Sequence, residues 1–124
     1  MSELRERLGL TVLFISHDLA VVRRLCDRVT VMYLETLVEQ GAVAEVFARP
    51  GHPYTRALLD AVPSADRRRP GVVVTGEPPS LLHVPSGCRF HPRCPRADTR
   101  CGSTAPPEAG QGLRRVVCHF PYER

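Results

Sequence analysis

Ten of the twelve prolines and four of the five cysteines lie beyond residue 62, so the two halves of this 124-residue chain cannot be built in the same way. Proline removes a backbone donor and interrupts helices and inner strands alike. Residues 63–124 are therefore expected to form an irregular Cys/Pro-rich extension, while residues 1–62 keep the patterning of regular elements. The length allows one small domain, or part of one.

Charge divides along the same line. Residues 1–62 carry seven Arg against eight acidic residues, whereas residues 63–124 carry ten Arg against five. All seventeen basic residues are arginine, which excludes a phosphate-loop lysine. The chain has no apolar run of the roughly 18 residues that a membrane helix needs, and its N-terminus lacks the basic segment and apolar run of a secretory signal. The expected location is the cytoplasm.

Glu3 to Leu8 reads as the last turns of a helix, closed by Gly9 at a left-handed C-terminal position. Thr11 to Ile15 is a short apolar run with the composition of a strand buried on both faces, as in a parallel sheet. Asp18 is placed to cap a helix whose apolar Leu19, Val22 and Leu25 share one face and which ends near Cys26-Asp27. Val29 to Leu34 and Leu37 to Glu39 read as two antiparallel strands joined near Glu35-Thr36. Neither Glu nor Thr readily takes the positive φ of a tight hairpin turn, so a loosened or altered turn is expected. Ala42 to Ala48 and Pro53 to Val62 read as helices, the second with proline in its first turn. Beyond Pro63 periodicity disappears, leaving an Arg67-Arg68-Arg69-Pro70-Gly71 linker and one short strand at Val72 to Val74. The order of elements favours an α/β fold.

His17 falls at the joint between the apolar run and the helix. On position alone it is either a polar residue ending a strand or a ligand contact at the sheet's carboxyl edge, with phosphate the natural candidate. The segment Leu13-Phe14-Ile15-Ser16-His17-Asp18-Leu19, with Asp27-Arg28-Val29 and Val31-Met32-Tyr33-Leu34 after it, resembles the switch-histidine region of ABC transporter ATPases. Val38-Glu39-Gln40-Gly41, Phe47-Ala48-Arg49-Pro50 and His52-Pro53-Tyr54-Thr55-Arg56-Ala57-Leu58-Leu59 are similar to the ATP-binding subunits of oligopeptide and dipeptide importers. The resemblance implies that His17 contacts the ATP γ-phosphate. It also implies Mg-ATP in a complete subunit, a second ATP-binding subunit, membrane-embedded permease partners, and a place on the inner face of the cell membrane.

The phosphate loop, the signature motif and the acidic strand end of that family are missing. The expectation is a C-terminal fragment of an ABC-type nucleotide-binding domain over residues 1–62, followed by the extension over residues 63–124. A complete subunit should have roughly twice this length or more ahead of Met1. By itself the chain is expected to hydrolyse no ATP.

The extension holds Cys88, Cys94, Cys101 and Cys118, separated by five, six and sixteen residues, with proline or glycine beside three of them. In a cytosolic chain lasting disulfides are disfavoured, which leaves metal ligation or reduced thiols. Four soft thiolates suit zinc or an iron–sulfur cluster, and the lack of the closely spaced Cys-x-x-Cys pairs common in zinc sites favours iron and sulfur. Arg89, Arg93, Arg96, Arg100, Arg114 and Arg115 would offset the charge of such a group, and His91 and His119 are possible substitute ligands. The same tail resembles that of the peptide-importer ATPases, which implies a four-iron four-sulfur cluster on the four cysteines. Cys26, outside the motif, is expected to be a small buried hydrophobe.

A second reading is a free-standing metal-binding or nucleic-acid-binding module, suggested by a pI near 9.1 and the ten arginines of the tail. Phe90, Phe120 and Tyr122 are not interleaved with those arginines as stacking platforms, so no nucleic acid is expected. A third is a chain without independent function, aggregating through an exposed edge at Thr11 to Ile15.

Overall fold

The fold was described from a computed structural model, which covers residues 2–63, 71, 74 and 76–122. Helices α1 (Ser2–Leu8) and α2 (Leu19–Leu25) precede strands β1 (Arg28–Tyr33) and β2 (Thr36–Ala42). Helices α3 (Val43–Ala48) and α4 (Pro53–Ala61) follow, then a short 3-10 turn at His91–Arg93, helix α5 (Thr99–Ser103), and strands β3 (Glu108–Gln111) and β4 (Arg114–Val117). The strands make one antiparallel sheet in the order β1-β2-β4-β3. The expected α/β class therefore holds, with an antiparallel sheet.

Local chemistry accounts for most of these elements. Gly9 takes a φ of 61° and ends α1. The Asp18 carboxylate accepts from the amides of Ala20 and Val21 at 3.0 and 3.3 Å, which caps α2 and offsets its unpaired first amides. Strand β1 alternates, with Val31 and Tyr33 buried while Thr30 and Met32 face solvent. Val31 pairs with Glu39 and Met32 with Leu37, leaving Val38 as the extra residue of a bulge. That insertion is why the adjacent Val38 and Glu39 are both buried, since regular pleating would send one of them outward.

The hairpin turn is Leu34-Glu35, one residue earlier than the expected Glu35-Thr36, because Tyr33 pairs with Thr36. Leu34 and Glu35 both adopt positive φ, 45° and 62°. Two consecutive left-handed residues match the twist of the flanking strands, which is why this turn forms without glycine. The Leu34 carbonyl accepts from Thr36 Oγ1 and from an Arg89 guanidinium N–H, so the extension holds the turn from outside. Left-handed backbone costs a non-glycine residue about 1–2 kcal/mol, less what glycine loses in chain entropy. Glu35→Gly is therefore expected to stabilise the chain by roughly 0.5–1 kcal/mol, read as a higher urea midpoint. An unchanged or lower midpoint would mean that the turn carries no strain at Glu35.

Two expectations fail. Thr11 to Ile15 forms no strand: it is extended chain without a ladder, with Leu13 89% and Ile15 90% exposed. A parallel strand needs neighbours to receive its backbone groups, and the four strands here pair only among themselves. The aggregation-prone strand edge expected there is accordingly missing from the described residues. The extension, in turn, is not irregular throughout, because β4 pairs with β2 through Glu39–Val116 and Gln40–Arg115 and brings β3 with it. Of the linker and the short strand expected after Pro63, residues 67–70, 72 and 73 lie outside the described residues.

The core joins hairpin and extension. Val31, Tyr33, Val38 and Phe90 form its centre, with Tyr54 and Leu58 of α4 against it. Phe90 sits edge-on to Tyr33 at 5.1 Å between ring centroids and lies 5.4 Å from Tyr54, while Tyr33 and Tyr54 are 4.7 Å apart. Such tilted aromatic contacts add to simple area burial. Among the described residues no helix is long and apolar enough to cross a membrane.

Candidate functional site

Cys88, Cys94, Cys101 and Cys118, spread over three loops and a helix, line one small cavity together with His52, Phe90 and Arg96. Backbone contacts bring them there. Gly87 has a φ of 66°, and a Cβ on it would lie 2.4 Å from the Cys101 carbonyl oxygen, so only glycine permits these two backbones to approach. The Cys88 amide then donates to that carbonyl at 2.8 Å, and Ser86 Oγ donates to the Gly102 carbonyl at 2.6 Å. Cys94 ends the 3-10 turn, its amide donating to the His91 carbonyl at 3.3 Å. Cys101 lies in α5, whose first amides are capped by Asp98. Cys118 directly follows β4 and donates its amide to the Pro107 carbonyl at 3.2 Å.

The thiols are close enough to oppose one another's ionisation. Burial pushes Cys118 up to about 11, and Cys88, Cys94 and Cys101 add to that shift. Cys88 and Cys94 are raised for the same reasons, burial first. Metal ligation must displace these protons. Among the described residues no three His, Cys, Asp or Glu side chains stand close enough together to hold one metal ion. A single zinc draws its sulfurs to about 2.3 Å from one point. A cluster binds each thiolate at a different iron and so spans a wider set of sulfurs than one zinc ion does.

The histidines divide. His91 Nδ1 donates to the Cys88 carbonyl and His119 Nε2 lies 2.8 Å from the Thr104 carbonyl, so both rings brace the cysteine loops through backbone. His52, noted in the sequence only as part of the stretch of residues 52–59 and given no role of its own, is 1% exposed and lines the same cavity. Its Nδ1 accepts the Tyr54 amide at 3.0 Å and caps α4, and burial lowers its pKa to about 4. Its Nε2 has no hydrogen-bond partner among the described residues. A buried donor left in that state costs about 1–3 kcal/mol.

Glu39 was also missed as a site residue. It is fully buried and accepts from the amides of Gly51 and His52 at 2.8 and 3.0 Å, and Arg114 pairs with it at 2.6 Å. Arg114 donates as well to the Arg49 carbonyl at 2.7 Å. One carboxylate thus fixes the loop before α4, and with it His52, against β4. The sequence signals were an acidic residue among apolar neighbours and its place in the Val38-Glu39-Gln40-Gly41 stretch that carries the resemblance.

The arginines expected to balance a cluster have other partners. Arg114 is neutralised by Glu39 and Arg115 by Glu108 at 2.8 Å. Arg93 donates to Tyr33 Oη at 3.5 Å, while Arg96 and Arg100 lie over the rings of Tyr122 and Phe120. Of the six, Arg96 lines the cavity. Cys26 is half-buried at the end of α2 rather than in the core.

His17 is exposed and borders a separate open groove with Phe14, Val29 and Leu58. The amides of Ala20 and Val21 beside it donate to the Asp18 carboxylate.

Residues 38–101 match the family described as the oligopeptide/dipeptide transporter, C-terminal region. The chain belongs to that family. The match contains His52, Cys88, Cys94 and Cys101, and Cys118 lies beyond it. The chain is 49% identical over 120 residues to the "Putative peptide import ATP-binding protein BAB2_1053" of Brucella abortus strain 2308, covering 97% of this chain and 36% of the relative. A protein of Brucella melitensis biotype 1 with the same description is also 49% identical over 120 residues, covering 97% and 32%. One of Brucella ovis, again so described, is 51% identical over 108 residues, covering 86% and 34%. The chain therefore spans about a third of the length of the curated relatives it matches.

Proposed function

We propose that this chain serves as the C-terminal portion of the ATP-binding subunit of a peptide ABC importer, with a four-iron four-sulfur cluster on Cys88, Cys94, Cys101 and Cys118. The observation that carries the reading is the meeting of four separated thiols in one cavity of a chain from this family. In the complete subunit, ATP and magnesium would be bound largely by residues outside this chain, with His17 reaching the γ-phosphate from its exposed loop. A second ATP-binding subunit and membrane-embedded permeases would be the partners, on the inner face of the membrane.

When bound, the cluster would cross-link the cysteine loops covalently. The chain's own residues prepare for it. Gly87 allows the Cys88 and Cys101 backbones to meet, the Asp98 cap orients α5, and pairing of β4 with β2 delivers Cys118. Small folds with few apolar residues gain most from such a clip, because the energy of ligation becomes folding energy.

The test is metal and sulfide analysis with a visible spectrum on protein purified without oxygen, beside Cys94→Ser. Iron with matching sulfide and charge-transfer bands, lost in the variant, is the expected result. Zinc without sulfide, or folded protein with neither metal, would overturn the cluster.

A further inference from the structure

The unpartnered nitrogen of His52 singles it out from the other residues around the cysteine cavity. Nδ1 accepts the Tyr54 amide, so it carries a lone pair rather than a proton. The neutral ring then holds its proton on Nε2, which makes that atom a donor. It is buried without an acceptor among the described residues, in a side chain only 1% exposed. Arg96 in the same wall only donates and Phe90 and Phe120 have no side-chain acceptor; His91 and His119 each turn one ring nitrogen to a backbone carbonyl, leaving one acceptor nitrogen apiece, and the four cysteines present sulfur. Protonated thiols are weak acceptors, whereas sulfur bearing negative charge is a far better one.

Resting on the cluster reading above, we infer that His52 Nε2–H donates a hydrogen bond to a sulfur of the group held by the four cysteines, and so sets its reduction potential. His52 is a positioning residue in this arrangement, acting through the sulfur and not as a ligand. An N–H directed at sulfur favours the more negative, reduced charge state, one of the recognised controls on cluster potentials. The Glu39 carboxylate fixes the ring's backbone by accepting the His52 amide, and the Tyr54 amide fixes its tautomer. One constraint comes from strand β2 and the other from the first turn of α4, both outside the cysteine motif itself.

Two variants separate donation from capping. His52→Asn keeps an N-cap oxygen for the Tyr54 amide but is too short to place a donor at Nε2. His52→Gln can place its amide nitrogen near that position. The loaded full chain is expected to keep its iron and sulfide in both, with the midpoint potential shifted negative in His52→Asn and largely restored in His52→Gln. Wild-type protein carrying ring-15N histidine should also show nitrogen coupling to the reduced cluster by pulsed EPR, weakened in His52→Asn. A fully loaded His52→Asn with the wild-type potential would overturn the inference and leave the cluster standing. So would a loaded wild type with no ring-nitrogen coupling, whatever the variants do in folding. Wild-type protein that takes up no iron and sulfide overturns both readings.

Discussion

Glu39→Gln is expected to lower the unfolding free energy by about 3 kcal/mol, the low end of what breaking a buried ion pair costs. The carboxylate is fully buried and serves three donors from two separate parts of the chain, the Gly51 and His52 amides and the Arg114 guanidinium. An amide at this position can accept on one atom only, and its own NH2 group would face a backbone N–H. Arg114, 12% exposed, would then keep its charge without a counterion. The loss is therefore mainly the penalty on what remains, which is testable with a double-mutant cycle. Arg114→Met in the Glu39→Gln background should recover part of the stability, giving a coupling above about 1 kcal/mol in urea unfolding. A single-variant loss under about 1 kcal/mol would show that water reaches the pair and screens it.

Phe90→Ala should cost about 3–5 kcal/mol, the range for removing a buried aromatic side chain from a packed core. Phe90 is 1% exposed and touches the rings of Tyr33, Tyr54 and His52, with centroids 5.1, 5.4 and 5.8 Å away. These partners belong to the hairpin and to the start of α4, so the ring is what seats the cysteine segment on the regular half. Truncation opens a cavity that three aromatic neighbours cannot fill without leaving their rotamers. The chain has no tryptophan, so near-ultraviolet dichroism of the tyrosines would follow the loss of packing. In the metal-free protein, thiol modification at Cys88 and Cys94 should also accelerate. Unchanged thiol reactivity at reduced stability would mean that the loops are held by their backbone bonds to Cys101 and His91 alone.

The residues that were legible in the sequence act over short distances along the chain. Asp18 caps α2, the β1–β2 hairpin forms, and Pro53 opens α4, because capping, alternation and a fixed φ each work within a few neighbours. The four cysteines were grouped from their spacing and their proline and glycine neighbours, and the structure places all four around one cavity, one of them in a helix. What escaped depends on partners distant in sequence. Thr11 to Ile15 has the composition of a strand and lacks a neighbour to pair with, and composition cannot report that. Strand β3 is exposed along its whole length and β4 begins with two arginines, so neither shows the apolar alternation that marks a strand. Their place in the sheet follows from β2, and Glu39 and Arg114 declare each other only once folded. The Val38 bulge hid Glu39 further, because strict alternation would send it to solvent.

The pairing of β4 with β2 also sets an order of events. Residues 40 and 115 meet across a long stretch of chain, and such non-local contacts form after hairpins and helices, since the closure entropy must be met first. Cys118 follows β4 directly, so a chain emerging from the ribosome presents Cys88, Cys94 and Cys101 before the fourth thiol can arrive. Completion of the sulfur set thus coincides with closure of the sheet. A chain cut short before β4 would lose both at once, and its incomplete thiol set would distinguish it from a finished one.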